Sequence, residues 1–301
     1  MKTIAIFGGG GFIGQKLITF LANNGYHIIV PFQRNTNTAK IRSLGKPGQV
    51  IPFKYNLLSE SAVEKTLHSS DVIINLKTMW EENNANTYQK TIFDFNVKLI
   101  ELINKNNKNK LFIFFSGLGV SNTSYSNRIK IIYKVEQHII NNHKNYCIIK
   151  PGVVIGRGDP FISKLSNLIK LSPLIPLFGD GHKKFQPVFI DDILEFVKII
   201  IEKKFQQHIF DLAGPEVFSY RNFYLYIFSI NNVNKLLISI PFLLSKIFTK
   251  ILNYFSIKII TYDQLLMFNE DSVIKNKNKS FKDVGMNPKD IRMILNRRRE
   301  N

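Results

Sequence analysis

The chain has 301 residues, 45% hydrophobic and 21% charged. That composition excludes disorder, a collagen helix and a coiled-coil rod, and suits one large domain or one domain with a lobe. Lys and Arg number 41 against 22 acidic residues, a formal charge of +19, which either favours anionic partners or reflects compositional bias in a chain crowded with Ile, Lys, Asn and Phe.

The first half alternates apolar, β-rich runs with helical patterns. Strands are predicted at 3–7, 27–32, 50–53, 72–76, 111–115 and 146–150, and helices at 13–23, 62–67, 89–104 and 129–141. This order implies an α/β fold: a Rossmann-type, doubly wound parallel sheet with helices on both faces. The near-continuous apolar character of the strands fits strands covered on both sides. After Pro151 the pattern changes to loops, helices at 161–169, 190–202, 220–228 and 241–253, a strand at 208–212 and a closing helix at 288–296. The expected division is a nucleotide-binding domain over residues 1–150 and a smaller, mostly helical lobe over 151–301 that completes the sheet and cleft.

The strongest local signal is Gly8-Gly9-Gly10-Gly11-Phe12-Ile13-Gly14, placed between a predicted strand and a predicted helix. Glycines allow a tight turn and close backbone approach to a pyrophosphate, and the helix N-terminus adds free N–H groups and a positive dipole end. The spacing Gly8-x-x-Gly11-x-x-Gly14 is the pattern of short-chain dehydrogenase/reductase folds. The second strand runs into Gln33-Arg34 without the acid that would hold a ribose 2′-hydroxyl; Arg34 sits there instead, and a cation at that position suits a 2′-phosphate, so NADP(H) is expected over NAD(H). Asn56 after the third strand could hydrogen-bond an adenine amine, and Asn75 with Leu76 after the fourth could form a floor under the cofactor.

Hydride chemistry in such a fold uses a Tyr and a Lys four residues apart on one helix face, the lysine lowering the tyrosine pKa, with a Ser at the end of the fifth strand. Ser116 is present, but the segment from Ser124 to Glu136 holds no Tyr-x-x-x-Lys. Tyr125 and Tyr133 therefore read as structural, and no catalytic residue is assigned. The six histidines lack metal spacing, and no Gly-x-Ser-x-Gly elbow occurs. No nucleic-acid module is recognisable, so sequence-specific nucleic-acid binding is not expected. The single cysteine, Cys147, lies in an apolar run and reads as a buried, inert thiol in a reducing compartment.

Several segments together resemble the atypical short-chain dehydrogenase/reductase group that contains the nucleotide-binding accessory subunit of respiratory complex I and its bacterial relatives. They include Ile6 to Gly14, Ile28-Ile29-Val30-Pro31-Phe32, Asp71-Val72-Ile73-Ile74-Asn75-Leu76, Trp80-Glu81-Glu82, Lys150-Pro151-Gly152 and Gln186-Pro187-Val188. The resemblance implies tightly held NADPH and a structural role among the peripheral-arm subunits of complex I. By motif position, Gly8, Gly10, Gly11, Phe12, Ile13 and Gly14 would form the phosphate turn. Arg34 lies one residue past the place where relatives often put an arginine. Lys150 replaces a more usual arginine and could still face phosphate. Counted back from Glu136, the family's Tyr and Lys places fall at Arg128 and Ile132, which argues against a working reductase. The alternative is a free-standing oxidoreductase, epimerase or dehydratase using Lys130 or Tyr133.

No signal or transit peptide is visible, and no window of about 18 residues is continuously apolar. With the resemblance, this leads to an expected location in the cytoplasm, peripheral at the inner face of a bacterial inner membrane, or on the matrix side in a mitochondrion. The apolar segment 236–248 is read as a helix covering the lobe, with peripheral membrane contact as the other possibility.

Overall fold

The computed structural model describes residues 2–33, 37–55, 60–106, 110–242, 244, 245, 247, 261–275 and 278–297. The chain forms two compact units. One comprises Met1–Ser116, Ile131–Lys150 and Ile193–Phe210; the other comprises Gly117–Lys130, Pro151–Asp192 and Asp211–Asn301. Residues 193–210 thus return to the first unit after the chain has entered the second.

The first unit carries the sheet strands β1 (Thr3–Phe7), β2 (His27–Phe32), β3 (Val50–Lys54), β4 (Val72–Asn75), β5 (Leu111–Phe115) and β6 (Tyr146–Pro151). A seventh strand, β7 (His208–Leu212), flanks β6, giving the order β7-β6-β5-β4-β1-β2-β3. The pairings from β3 through β6 are all parallel. Ile4, Ile6, Phe7, Ile73, Ile74, Phe112, Ile113, Cys147 and Ile148 are fully buried, as expected where helices cover both faces of a parallel sheet. The strand order reverses between β1 and β4, the topological switch point where this class of sheet opens a crevice at the strands' C-terminal ends.

Helix α1 (Phe12–Asn23) follows β1 and ends in a Schellman arrangement. Gly25 has φ +86°, its N–H reaching Ala22 O at 3.0 Å while Tyr26 N–H reaches Leu21 O at 3.1 Å. The expected single helix over 89–104 is instead a π-helical turn, Gln89–Asp94, leading into α2 (Phe95–Asn106). Near the change Asn96, fully buried, donates its side-chain amide to Ile92 O at 2.7 Å, competing for a helical carbonyl.

The second unit is built around aromatic packing. Phe185 stacks on Tyr220 at 4.7 Å and meets Phe223 edge-on at 5.2 Å, within a cluster that includes Ile155, Leu165, Ile175, Leu177 and Phe218. Its helices have explicit starts. Asp159 caps Pro160–Leu171 by accepting from Ile162 N, Ser219 caps Tyr220–Ile230, and Thr261 with Gln264 forms a capping box on Tyr262–Phe268.

Segment 236–248 differs from the helix expected. Leu236–Ile240 is a strand paired in parallel with Leu174–Phe178, its β-branched and leucine residues meeting a second apolar run from outside the window. The rest of the helix expected over 241–253 falls partly outside the described residues. The closing helix is Ile291–Arg297, beginning three residues later than expected and ending one later. Among the described residues, no helix is long and apolar enough to cross a membrane, and no cluster of His, Cys, Asp or Glu could hold a metal ion.

Candidate functional site

The turn between β1 and α1 is tied by Gly11 N–H to Gly8 O at 3.1 Å and by the Gln15 side-chain amide to Gly10 O at 2.7 Å. Its glycines serve two different purposes. Gly8 has φ +80°, and a Cβ there would stand 2.7 Å from Leu76 C; one on Gly9 would meet Val30 Cγ1 at 2.6 Å; one on Gly14 would meet Gly8 O at 2.6 Å. These three are required by the turn's own packing. Gly10 has nothing within 4 Å of such a Cβ, and Gly11 has only Gly8 O at 3.5 Å. The fold itself therefore does not demand glycine at 10 and 11. Both are exposed, and their bareness leaves an open cradle at the start of α1.

Helix α1 supports an anion at that cradle. Gly11 is its N-cap with no side-chain cap, and no acid lies in its first turn, so the helix sets no carboxylate of its own against its free N–H groups and positive dipole end. Phe12 and Ile13, half-buried, form the first turn. The residues present thus fit a dinucleotide pyrophosphate. When bound, a nicotinamide dinucleotide supplies hydride-transfer capacity; Gly10, Gly11 and the first turn of α1 would hold its phosphates.

The other sequence-read residues divide. Leu76 is half-buried against Gly8. Asn75 is fully buried; its amide donates to Asn96 Oδ1 at 2.7 Å and its Oδ1 accepts from Lys77 N at 2.9 Å. It shapes the end of β4 from inside and presents no surface to a ligand. Arg34 and Asn56 lie outside the described residues.

Ser116 and Lys150 come together at the ends of β5 and β6, on the carboxylate of Glu136. Ser116 Oγ donates to Glu136 Oε1, and Lys150 Nζ lies 3.1 Å from Oε2. The side chains of Lys150 and Glu136 are 12% and 4% exposed, so the Lys150 charge is directed inward at this carboxylate and not outward to phosphate. Sequence reading used Glu136 only to count positions; its buried acid, flanked in space by a Ser and a Lys from strand ends, could not be inferred from spacing.

Helix α3 (Asn127–Asn142) carries the positions where a Tyr and a Lys are missing. Arg128 is buried, its guanidinium 4.0 Å from Met267 Sδ, and Ile132 is buried as well. In the same unit, Asp263 caps the helix start, accepting from Ser126 Oγ at 2.6 Å and Asn127 N at 3.0 Å, while Glu270 accepts from Ser124 Oγ and Tyr125 N. Tyr125 is exposed.

One further feature of the first unit was not foreseen. Lys77 donates to Gln33 Oε1 at 2.7 Å and sits 3.8 Å over the Phe95 ring, itself edge-on to Phe7. Burial pushes the Cys147 thiol well above its ordinary pKa, in keeping with an inert core residue.

Comparisons with known proteins follow the same lines. The chain is 26% identical over 217 residues to the mitochondrial NADH dehydrogenase [ubiquinone] 1 alpha subcomplex subunit 9 of Arabidopsis thaliana, covering 71% of this chain and 54% of that protein. Against the subunit of the same name from Dictyostelium discoideum, the identity is 29% over 224 residues, 72% of this chain and 61% of that one. The alignments thus span little more than half the length of these relatives. Among solved structures, UDP-glucose 4-epimerase from Thermotoga maritima superposes with TM-score 0.71 at 18% identity, over 99% of this chain and 97% of that one, a likeness of fold. Residues 4–213 match the model of the NAD dependent epimerase/dehydratase family. With that match covering well over half its length, and with the glycine turn and seven-stranded sheet in place, the chain belongs to the NAD dependent epimerase/dehydratase family.

Proposed function

We propose that this protein is an NADP(H)-binding accessory or assembly subunit of respiratory complex I, without turnover of its own. The observation that carries the reading is a contrast within one chain. The dinucleotide turn from Gly8 to Gly14 keeps both its packing glycines and its open cradle, while α3 has buried Arg128 and Ile132 where an acid–base pair would stand. A cofactor held without a general acid for a carbonyl substrate would lose about 10²–10⁴-fold in rate from that step alone. It would still stabilise the fold by mass action. The relatives named as complex I subunits support the choice of partner, and the +19 charge would favour docking on an acidic surface. Preference for NADP(H) follows from the missing acid at the end of β2 and from Arg34 beside Gln33 in sequence.

Equilibrium titration with NADPH and NADH, followed by a turnover assay over a panel of carbonyl and nucleotide-sugar substrates, tests this reading. Tight NADPH binding without saturable turnover is expected; rapid substrate-dependent NADPH oxidation overturns it. One observation favours a second reading, a free-standing oxidoreductase or epimerase: the buried Ser116–Glu136–Lys150 group. In that case, turnover lost on changing Glu136 would be seen.

A further inference from the structure

Lys77 directly follows Asn75 and Leu76 at the end of β4. Its backbone N lies 2.8 Å from where a Cβ on Gly8 would stand, so this residue is packed against the first glycine of the turn. Asn75 Oδ1 accepts its N–H and fixes where the side chain departs. Since β1 lies between β4 and β2 in the sheet, the side chain spans from the end of β4 past the end of β1 to Gln33, the residue that follows β2. There its ammonium donates to Gln33 Oε1 at 2.7 Å, held over the Phe95 ring at 3.8 Å. These two contacts orient the cation.

The end of β2 is where an acid would select a ribose 2′-hydroxyl. Here the position carries a neutral amide that holds a lysine reaching over from β4. We propose that Lys77 is a specificity-determining residue that binds the ribose 2′-phosphate of NADP(H), with Gln33 as its positioning residue. This rests on the reading of the glycine turn as a dinucleotide site. A 2′-phosphate takes charge-assisted hydrogen bonds from an ammonium, whereas a neutral 2′-hydroxyl gains far less. The pairing is invisible in sequence, because the two residues are 44 positions apart and meet only through the strand order.

The test is equilibrium titration of the full chain with NADPH, NADH and 2′,5′-ADP, for the wild type and for Lys77→Met, Lys77→Arg and Gln33→Glu. Lys77→Met should weaken NADPH and 2′,5′-ADP by roughly tenfold or more, the usual worth of a hydrogen bond to a charged group, with NADH changed less than about twofold. Lys77→Arg should keep the NADPH preference. Gln33→Glu, nearly isosteric, should neutralise Lys77 in place and shift preference towards NADH; it decides the matter should Lys77→Met fail to fold. Equal loss of NADPH and NADH in Lys77→Met, or an unchanged NADPH-to-NADH ratio in both Lys77→Met and Gln33→Glu, overturns the assignment while leaving the dinucleotide site standing. A wild type that binds no dinucleotide overturns the site reading and the assignment with it.

Discussion

Replacing Gly11 by valine separates what the turn needs for folding from what it needs for binding. Gly11 has φ −76° and ψ 173°, backbone that any residue adopts, and a Cβ there meets only Gly8 O at an ordinary 3.5 Å. The unliganded variant loses a favourable N-cap, worth about 1 kcal/mol, and regains about 0.4–1 kcal/mol because the unfolded chain is stiffer. Its unliganded melting temperature should therefore shift by no more than about 2 °C. Its cradle, however, is filled by a branched side chain. Wild-type protein at a hundredfold excess of NADPH over Kd should gain about 2.7 kcal/mol, roughly 5 °C, and the variant should gain nothing. Gly14→Ala is the contrasting perturbation. Its Cβ would stand 2.6 Å from Gly8 O and 2.7 Å from Gly9 Cα, both backbone atoms. Overpacking of about 3 kcal/mol, less about 1 kcal/mol of improved helix propensity, leaves a net loss of about 2 kcal/mol in the unliganded protein. Thermal melts with and without NADPH measure all of these quantities. A folded Gly11→Val protein that keeps its full NADPH shift refutes the cradle, and a Gly14→Ala protein as stable as wild type refutes the packing argument.

Three further outcomes follow from the geometry. Lys150→Met removes the ammonium paired with the buried Glu136 carboxylate, and should cost about 3 kcal/mol in urea unfolding; Glu136→Gln with Lys150→Met together should recover part of that loss. Asp263→Ala removes the acceptor for Ser126 Oγ and Asn127 N at the start of α3, and should cost about 1–2 kcal/mol by the same assay. Cys147 is fully buried with its thiol pKa raised by burial, so a maleimide should label it only as fast as the protein unfolds; rapid labelling of the native protein would contradict its place in the core.

The central sheet was legible because its strands are covered on both faces and read as unbroken apolar runs; β1, β2, β5 and β7 begin and end where those runs do. The second unit was less legible. Val154–Ile155, Lys184–Phe185, Val188–Phe189 and Phe218–Ser219 are two-residue strands, too short for any periodicity. Leu236–Ile240 reads as readily for a buried helix as for a strand until its partner Leu174–Phe178 is known. Within the site, the glycine turn was visible because all its parts are contiguous. Glu136 with Ser116 and Lys150, and Lys77 with Gln33, depend on which strand ends lie side by side, which no local pattern encodes. Asn75 shows the converse: its position after β4 suggested a ligand contact, yet its amide is fully engaged with Asn96 and the Lys77 backbone.

The claim that this chain is a cofactor-holding subunit and not a free enzyme is tested most directly by affinity isolation of the tagged full-length protein from gently solubilised native membranes. The recovered proteins and the nucleotide released on denaturation are quantified by mass spectrometry. The account predicts peripheral-arm subunits of complex I in near-stoichiometric amounts, with about one NADP(H) per copy of this chain. Recovery of the protein alone, without complex I subunits and without bound dinucleotide, would contradict it.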